Sequence, residues 1–187
     1  MIKVLITGDT HIPTRARKIP KIIEEIIQSN KPYQAVFFTG DLISEKVLRY
    51  VKSLSEKVFI VEGNMDYLSF PEKITTKINE INIGLIHGHQ VFPRGNIEGL
   101  TRIAEEMNVQ ILINGHTHYA KIVEVTGKHG SKIVLANPGS LTGVWSGGFA
   151  SMRPSLIIGY FKNREVFLEL YELYGTKLET KRYVFTF

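Results

Sequence analysis

At 187 residues, with 43% hydrophobic and 22% charged side chains, the chain is long enough to bury a full core and reads as one globular domain over 1–187. It has no cysteine, which excludes disulfides, thiolate metal sites and cysteine nucleophiles. The formal charge of +5 is modest and the lysines are scattered, so nucleic acid is not indicated as a partner; no apolar run approaches the roughly 20 residues of a membrane span and no signal peptide is evident, so a cytoplasmic location without membrane insertion is expected.

Short β-branched runs at residues 2–6, 35–38, 58–61, 83–86, 110–113 and 133–136 read as strands, most ending in glycine. Between the early runs the period changes. Ile19, Ile22, Ile23, Ile26 and Ile27 fall on one helical face. Val47, Leu48, Val51 and Leu54 repeat that spacing, with Ser44 placed as the N-cap, and residues 97–107 continue it through Leu100, Ile103 and Ala104. Strands alternating with helices predict a largely parallel sheet covered by helices. After residue 119 the pattern is strands alone, at 120–126, 132–136, 155–161, 165–173 and 178–187, with turn signals at 127–130 and 162–163. This half is expected to be more antiparallel, which suggests two packed sheets rather than one. The loop from Gly143 to Pro154 is rich in Gly and Ser and carries Trp145, Phe149 and Met152, which fit an exposed contact patch and burial beneath the loop equally well.

The polar residues that matter sit at the strand ends. Residues 3–8 deliver Asp9 and His11; 35–40 deliver Asp41; 58–63 deliver Asn64 and Asp66; 83–86 deliver His87 and His89; 110–115 deliver His116 and His118. Five of the six histidines lie there, and only His129, in a turn, does not. In an open parallel sheet ligands bind at the carboxyl ends of the strands, so these side chains are expected to converge on one edge. Taken singly, each Gly-Asp or histidine reads as a turn or a hydrogen-bonded core group. Taken together, two Asp, one Asn and four His are a metal-ligand set.

In order, Asp-x-His, Gly-Asp, Gly-Asn-x-Asp, His-Gly-His and Gly-His-x-His over residues 8–118 resemble the motifs of the calcineurin-like metallophosphoesterase superfamily. Gly8-Asp-Thr-His-Ile-Pro13, Ile83-Gly-Leu-Ile-His-Gly-His-Gln-Val91 and Asn137-Pro-Gly-Ser-Leu-Thr-Gly143 resemble most the branch holding the retromer small subunit and single-domain prokaryotic phosphodiesterases. The resemblance implies a four-layer α/β/β/α sandwich of two mixed sheets flanked by helices, with two divalent metals at the sheet ends. Carried over by position, Asp9, His11, Asp41 and His118 hold the first metal. Asp41, Asn64, His87 and His116 hold the second, with Asp41 bridging. His-Thr-His would then serve two ions about 3.5–4 Å apart, one imidazole each.

That ligand set leaves about one net positive charge once two aspartates and a bridging hydroxide are counted against two divalent ions, which favours a phosphate anion. The expected activity is metal-dependent phosphodiester hydrolysis, by in-line attack of the hydroxide on phosphorus. Imidazole, carboxylate and amide ligands without sulfur suit Mn, Ni, Fe, Co or Zn, with Mn placed first. Many relatives carry histidine after the Gly-Asn; here Met65 stands in that place and cannot transfer a proton, so His89 or water is expected to serve as proton donor or phosphate contact, and activated diesters to react best. Asp66 is a candidate acceptor for a ligand histidine. Arg15, Arg17 and Arg94 are expected chiefly at the surface. The rival reading is an interaction scaffold like the retromer subunit, with the Gly143-to-Pro154 loop as a docking patch for a protein partner; a homo-oligomer is compatible with either.

Overall fold

The computed structural model describes residues 1–187. Eleven strands form two sheets. In the first, the order is β11 (Lys177–Thr186), β10 (Glu165–Tyr174), β9 (Ser155–Lys162), β1 (Ile2–Thr7), β2 (Ala35–Phe38) and β3 (Val58–Ile60). In the second it is β4 (Lys73–Ile78), β5 (Ile81–Ile86), β6 (Ile111–Ile113), β8 (Lys132–Asn137) and β7 (Lys121–Thr126). Three helices, α1 (Lys21–Ser29), α2 (Glu45–Lys52) and α3 (Ile97–Glu106), complete the chain with a short 3-10 turn at Lys128–Gly130.

Strand alternation explains the layering. Val4 and Ile6 of β1 pack with Ile83, Leu85, Ile113 and Ala136 of the second sheet, whereas Leu5 between them packs with Ile23 and Ile27 of α1 and Val47 and Val51 of α2. On the far side, Leu112 and Leu135 cover the inner face of α3 at Leu100 and Ala104. The expected four-layer sandwich of two mixed sheets is therefore present. The Ser44 hydroxyl caps α2 by accepting from the Val47 N–H at 3.3 Å, as the sequence predicts. Pro20, rather than Ile19, marks the start of α1.

One feature departs from the sequence reading. β4 is an added edge strand, antiparallel to β5, with only Ile78 fully buried, so its apolar pattern is too thin to identify it. The strands after residue 119 divide between the two expected sheets. β8 joins β6 in parallel with β7 as its antiparallel edge, while β9 pairs antiparallel with β1 and carries β10 and β11 into the first sheet. What positions the site is the parallel part: β1, β2 and β3 in one sheet and β5 and β6 in the other send their following loops to a common edge.

Candidate metal centre

Each candidate residue leaves a strand on a tight turn. Asp9, His11, Asp41, His116 and His118 all have left-handed backbone, with φ between +47° and +67°. This conformation is uncommon outside glycine, and its concentration here aims five side chains inward over very few residues. His116 and His118 are therefore not on an extended segment; successive left-handed turns, with Thr117 between, send their rings to different neighbours. Glycine is needed where these turns meet. A Cβ on Gly115 would collide with Asp9 Oδ2 and lie 2.8 Å from Thr39 Cβ, and one on Gly63 would collide with the Asp41 carboxylate.

Asp9, His11, Asp41 and His118 are buried, and one ligand atom from each lies within 4.8 Å of the others. His118 Nδ1 donates to the Val144 carbonyl at 2.7 Å, which leaves Nε2 of the neutral ring without a proton. That nitrogen lies 3.3 Å from Asp9 Oδ1 and 3.1 Å from His11 Nε2, while His11 Nε2 lies 3.2 Å from Asp41 Oδ2. Asp9 Oδ1 is fully buried and receives no well-directed hydrogen bond. His118 Nε2 and Asp9 Oδ1, both acceptors, are thus turned towards each other, an arrangement that requires a proton or a cation between them. The donor set and its orphaned oxygen fit a divalent metal.

A second group adjoins the first through Asp41. His87 Nδ1 donates to the Thr39 carbonyl at 2.6 Å, so its Nε2 is again bare; it lies 3.1 Å from Asn64 Oδ1 and 3.5 Å from Asp41 Oδ2. The His116 ring stands edge-on to His87 with centroids 5.1 Å apart. Asp41 Oδ2 is faced by His11 from one side and His87 from the other, while Asp41 Oδ1 accepts from the Met65 N–H at 2.8 Å. All seven expected ligands are therefore brought together. His89 is exposed beside them, its ring 5.4 Å from His87 and 6.2 Å from His116.

The electrostatics suit a cation. Burial raises the Asp41 carboxyl, but the His11 hydrogen bond, the His87 ring and the Met65 N–H outweigh it and bring its pKa down to about 2. Asp9 is likewise pushed up by burial and brought below its usual value by His118 and His87. Burial, then His87 and Arg94, lower His116 to about 4, so its ring is neutral at pH 7. Burial works to lower His118, but Asp9 outweighs it and raises the ring above its ordinary value.

The supporting residues were only partly anticipated. Asp66 touches no histidine. Its carboxylate accepts from the backbone N–H groups of Asp41 (2.8 Å), Gly63 (2.9 Å) and Ile43 (3.0 Å), tying the Asp41 loop to the Asn64 loop. Thr39, not singled out before, holds Asp9 Oδ2 with its hydroxyl at 3.1 Å and His87 with its carbonyl; the Thr-Gly-Asp repeated at residues 7–9 and 39–41 is the signal that could have found it. Ser140 donates to the Asp9 carbonyl at 2.7 Å and Thr142 to the Thr10 carbonyl at 2.8 Å, so the Asn137-to-Gly143 stretch buttresses the first loop. Arg15 donates to the Trp145 carbonyl, and Arg94 to the carbonyls of His116 and Ser146, so both fasten the Gly143-to-Pro154 loop beside the site; Arg17 is exposed. Trp145, Phe149 and Met152 in that loop are exposed rather than buried, and so is Met65.

The family model described as the calcineurin-like phosphoesterase superfamily domain matches residues 2–153. A probable metallophosphoesterase of Methanocaldococcus jannaschii is 39% identical over 137 residues, which is 73% of this chain and 67% of that protein. Vacuolar protein sorting 29 of Cryptosporidium parvum superposes with a TM-score of 0.91 at 29% identity, covering 100% of this chain and 98% of that one. The Entamoeba histolytica counterpart, solved in complex with zinc, gives 0.88 at 32% identity, covering 98% and 99%. The motif order first read in the sequence thus has its match in both family and fold: the chain belongs to the calcineurin-like phosphoesterase superfamily.

Proposed function

We propose that the protein is a binuclear metal-dependent phosphodiesterase, acting over residues 1–187 as one unit. The observation that carries this reading is Asp41 Oδ2, faced by His11 Nε2 at 3.2 Å and His87 Nε2 at 3.5 Å, one from each group of acceptors. Asp9, His11, Asp41 and His118 would hold one divalent ion, and Asp41, Asn64, His87 and His116 a second. Such ions supply positive charge for a phosphate anion and make hydroxide available near neutral pH. The protein's own part is to fix the ligands. The Val144 and Thr39 carbonyls hold His118 and His87 in the tautomer that presents Nε2. Thr39 and the His116 N–H hold Asp9 Oδ2, leaving Oδ1 to ligate.

Proton delivery to the leaving group falls to His89 or solvent, because Met65 cannot donate a proton. Burial and the neighbouring His87 hold His89 below its ordinary pKa, so it is a weak base and, when protonated, a ready donor. The substrate class that follows is a small phosphodiester with a good leaving group. Manganese is the first choice of metal by ligand chemistry, and zinc, bound by the Entamoeba histolytica protein, is next.

A second reading is supported by exposed Trp145, Phe149 and Met152 beside the site and by the likeness to vacuolar protein sorting 29 proteins: a docking module whose protein partner covers the Gly143-to-Pro154 loop. Hydrolysis of bis-p-nitrophenyl phosphate with and without Mn²⁺ separates the two. Metal-dependent turnover that is lost in Asp41→Asn supports the enzyme, and equal, negligible rates in both proteins support the docking module. No helix is long and apolar enough to cross a membrane; we place the enzyme in the cytoplasm.

A further inference from the structure

Behind the segment that carries His116 and His118 lies a cavity of about 270 Å³, between the start of α3, strands β7 and β8, and the Gly143-to-Pro154 loop. Ile97, Leu100, Val123 and Leu135 form its apolar walls, and Tyr119 and Phe149, with ring centroids 5.6 Å apart, stand at its rim. Tyr119 is 42% and Phe149 82% exposed, so the rim is open to solvent.

The polar atoms facing this space are donors. Asn114 lines it and is only 3% exposed. Its Oδ1 accepts from Asn137 Nδ2 at 3.1 Å, which assigns its Nδ2 as the free end, and that amide makes no hydrogen bond within the protein. Arg94 and Lys121 also line the cavity, and neither forms an ion pair; Arg94 spends Nη2 on two carbonyls, and Nη1 is left without a hydrogen bond. No acidic residue lines the cavity. Asn137 and Thr117, the other polar groups there, are turned onto the protein: Asn137 Nδ2 donates to the Gly115 carbonyl and to Thr117 Oγ1. An apolar chamber edged by a free amide N–H open to its space and two cations without ion-pair partners calls for an occupant that is apolar in body and carries a negatively charged acceptor.

We propose that this cavity is a binding site for a small anion with an aromatic or branched apolar body, such as an aryl carboxylate or an aryl phosphate. The apolar part sits against Leu100, Val123 and Leu135, and the anionic oxygens meet Asn114 Nδ2, Arg94 and Lys121. None of the proposed metal ligands lines the cavity. The site is therefore distinct from the metal centre, and the proposal does not depend on catalysis.

The test is titration of 2-naphthoate into the isotope-labelled full chain, followed by NMR at the Asn114 side-chain amide and the Leu100 and Leu135 methyl groups, with 2-naphthylmethanol as the neutral counterpart. The expected result is saturable shifts at those three residues, with the alcohol bound at least about tenfold more weakly, in line with loss of charge-assisted hydrogen bonds. Lys121→Glu, on an exposed strand position, should weaken the acid by at least about tenfold and leave the alcohol unchanged, and Val123→Trp should abolish both by filling the chamber. Lack of saturable shifts at these residues, equal binding of acid and alcohol, or indifference to both substitutions would overturn the proposal. Failure of the Asp41→Asn activity test leaves it standing, so the two readings fail separately.

Discussion

Gly115→Ala tests how closely the metal centre is packed. The added methyl would collide with Asp9 Oδ2, meet Thr39 Oγ1 at 2.5 Å and sit 2.8 Å from Thr39 Cβ. None of these is the far end of a flexible chain, so Asp9 must move. Overpacking of this kind costs about 1–3 kcal/mol. Moving Asp9 Oδ2 also weakens its bonds from the Thr39 hydroxyl at 3.1 Å and the His116 N–H at 3.2 Å, each contributing about 1 kcal/mol. The sum is about 3–5 kcal/mol, which for a chain of this size lowers Tm by about 6–20 °C. Because the moved group is a proposed ligand, manganese affinity should fall by about tenfold or more. Gly84→Ala is the control: its new methyl meets only apolar side-chain carbons, Met107 Cε at 3.0 Å and Leu112 Cδ1 and Val109 Cγ2 at 3.1 Å, none near the site, so it should cost less than Gly115→Ala and spare metal binding. Thermal unfolding by circular dichroism and calorimetric Mn²⁺ titration read both effects. A Gly115→Ala protein with normal Tm and normal metal affinity would refute the close packing of Gly115 against Asp9.

Asp66→Asn should lower metal affinity by about tenfold while leaving the ligands themselves intact, because an amide offers one acceptor oxygen where the Asp41, Gly63 and Ile43 N–H groups require two; unchanged calorimetric affinity would remove Asp66 from its tying role. In the metal-free protein, His116 is neutral when folded, with a pKa of about 4, so its contribution is present above about 6.5 and is lost as pH falls from 6.5 towards 4. Asp41 adds a second loss as pH falls from about 3.8 through about 2. His118, raised by Asp9, works in the opposite sense: its contribution is complete below about 6.5 and is lost as pH rises through its folded pKa. Tm of the metal-free protein should therefore peak near pH 6.5, and a flat profile from pH 4 to 8 would contradict these assignments. Metal affinity should rise with pH over the same neutral range as His118 gives up its proton, which calorimetry in two buffers of different ionisation heat detects. His89→Gln should slow alkyl-aryl diesters with poor leaving groups by about tenfold or more and p-nitrophenyl esters much less; an equal loss across a leaving-group series would deny it the proton.

Much of the site was legible because its chemistry is local. Strand, glycine and ligand follow one another in the chain, so Asp9, Asp41, His87 and His116 each sit where the strand pattern sends them. The layering was legible for a related reason: Val4, Leu5 and Ile6 are apolar in succession because β1 is covered on both faces. What stayed hidden depends on contacts between distant segments. Nothing near Asp66 indicates that its partners are the Asp41 and Ile43 N–H groups more than 20 residues away. Nothing in Gly-His-Thr-His indicates left-handed backbone at both histidines, because tertiary contacts impose it. β4 escaped notice because an edge strand with one exposed face needs few apolar residues, and the attachment of β9 to β1 joins residues over 150 apart in sequence.

The central claim is that Asp41 is shared by two cations. Anomalous diffraction from crystals soaked in Mn²⁺ tests it most directly. The account predicts two peaks about 4 Å apart, one beside Asp9, His11 and His118, the other beside Asn64, His87 and His116, with Asp41 in contact with both. A single peak at full occupancy under saturating manganese, or two peaks neither of which touches Asp41, would contradict it.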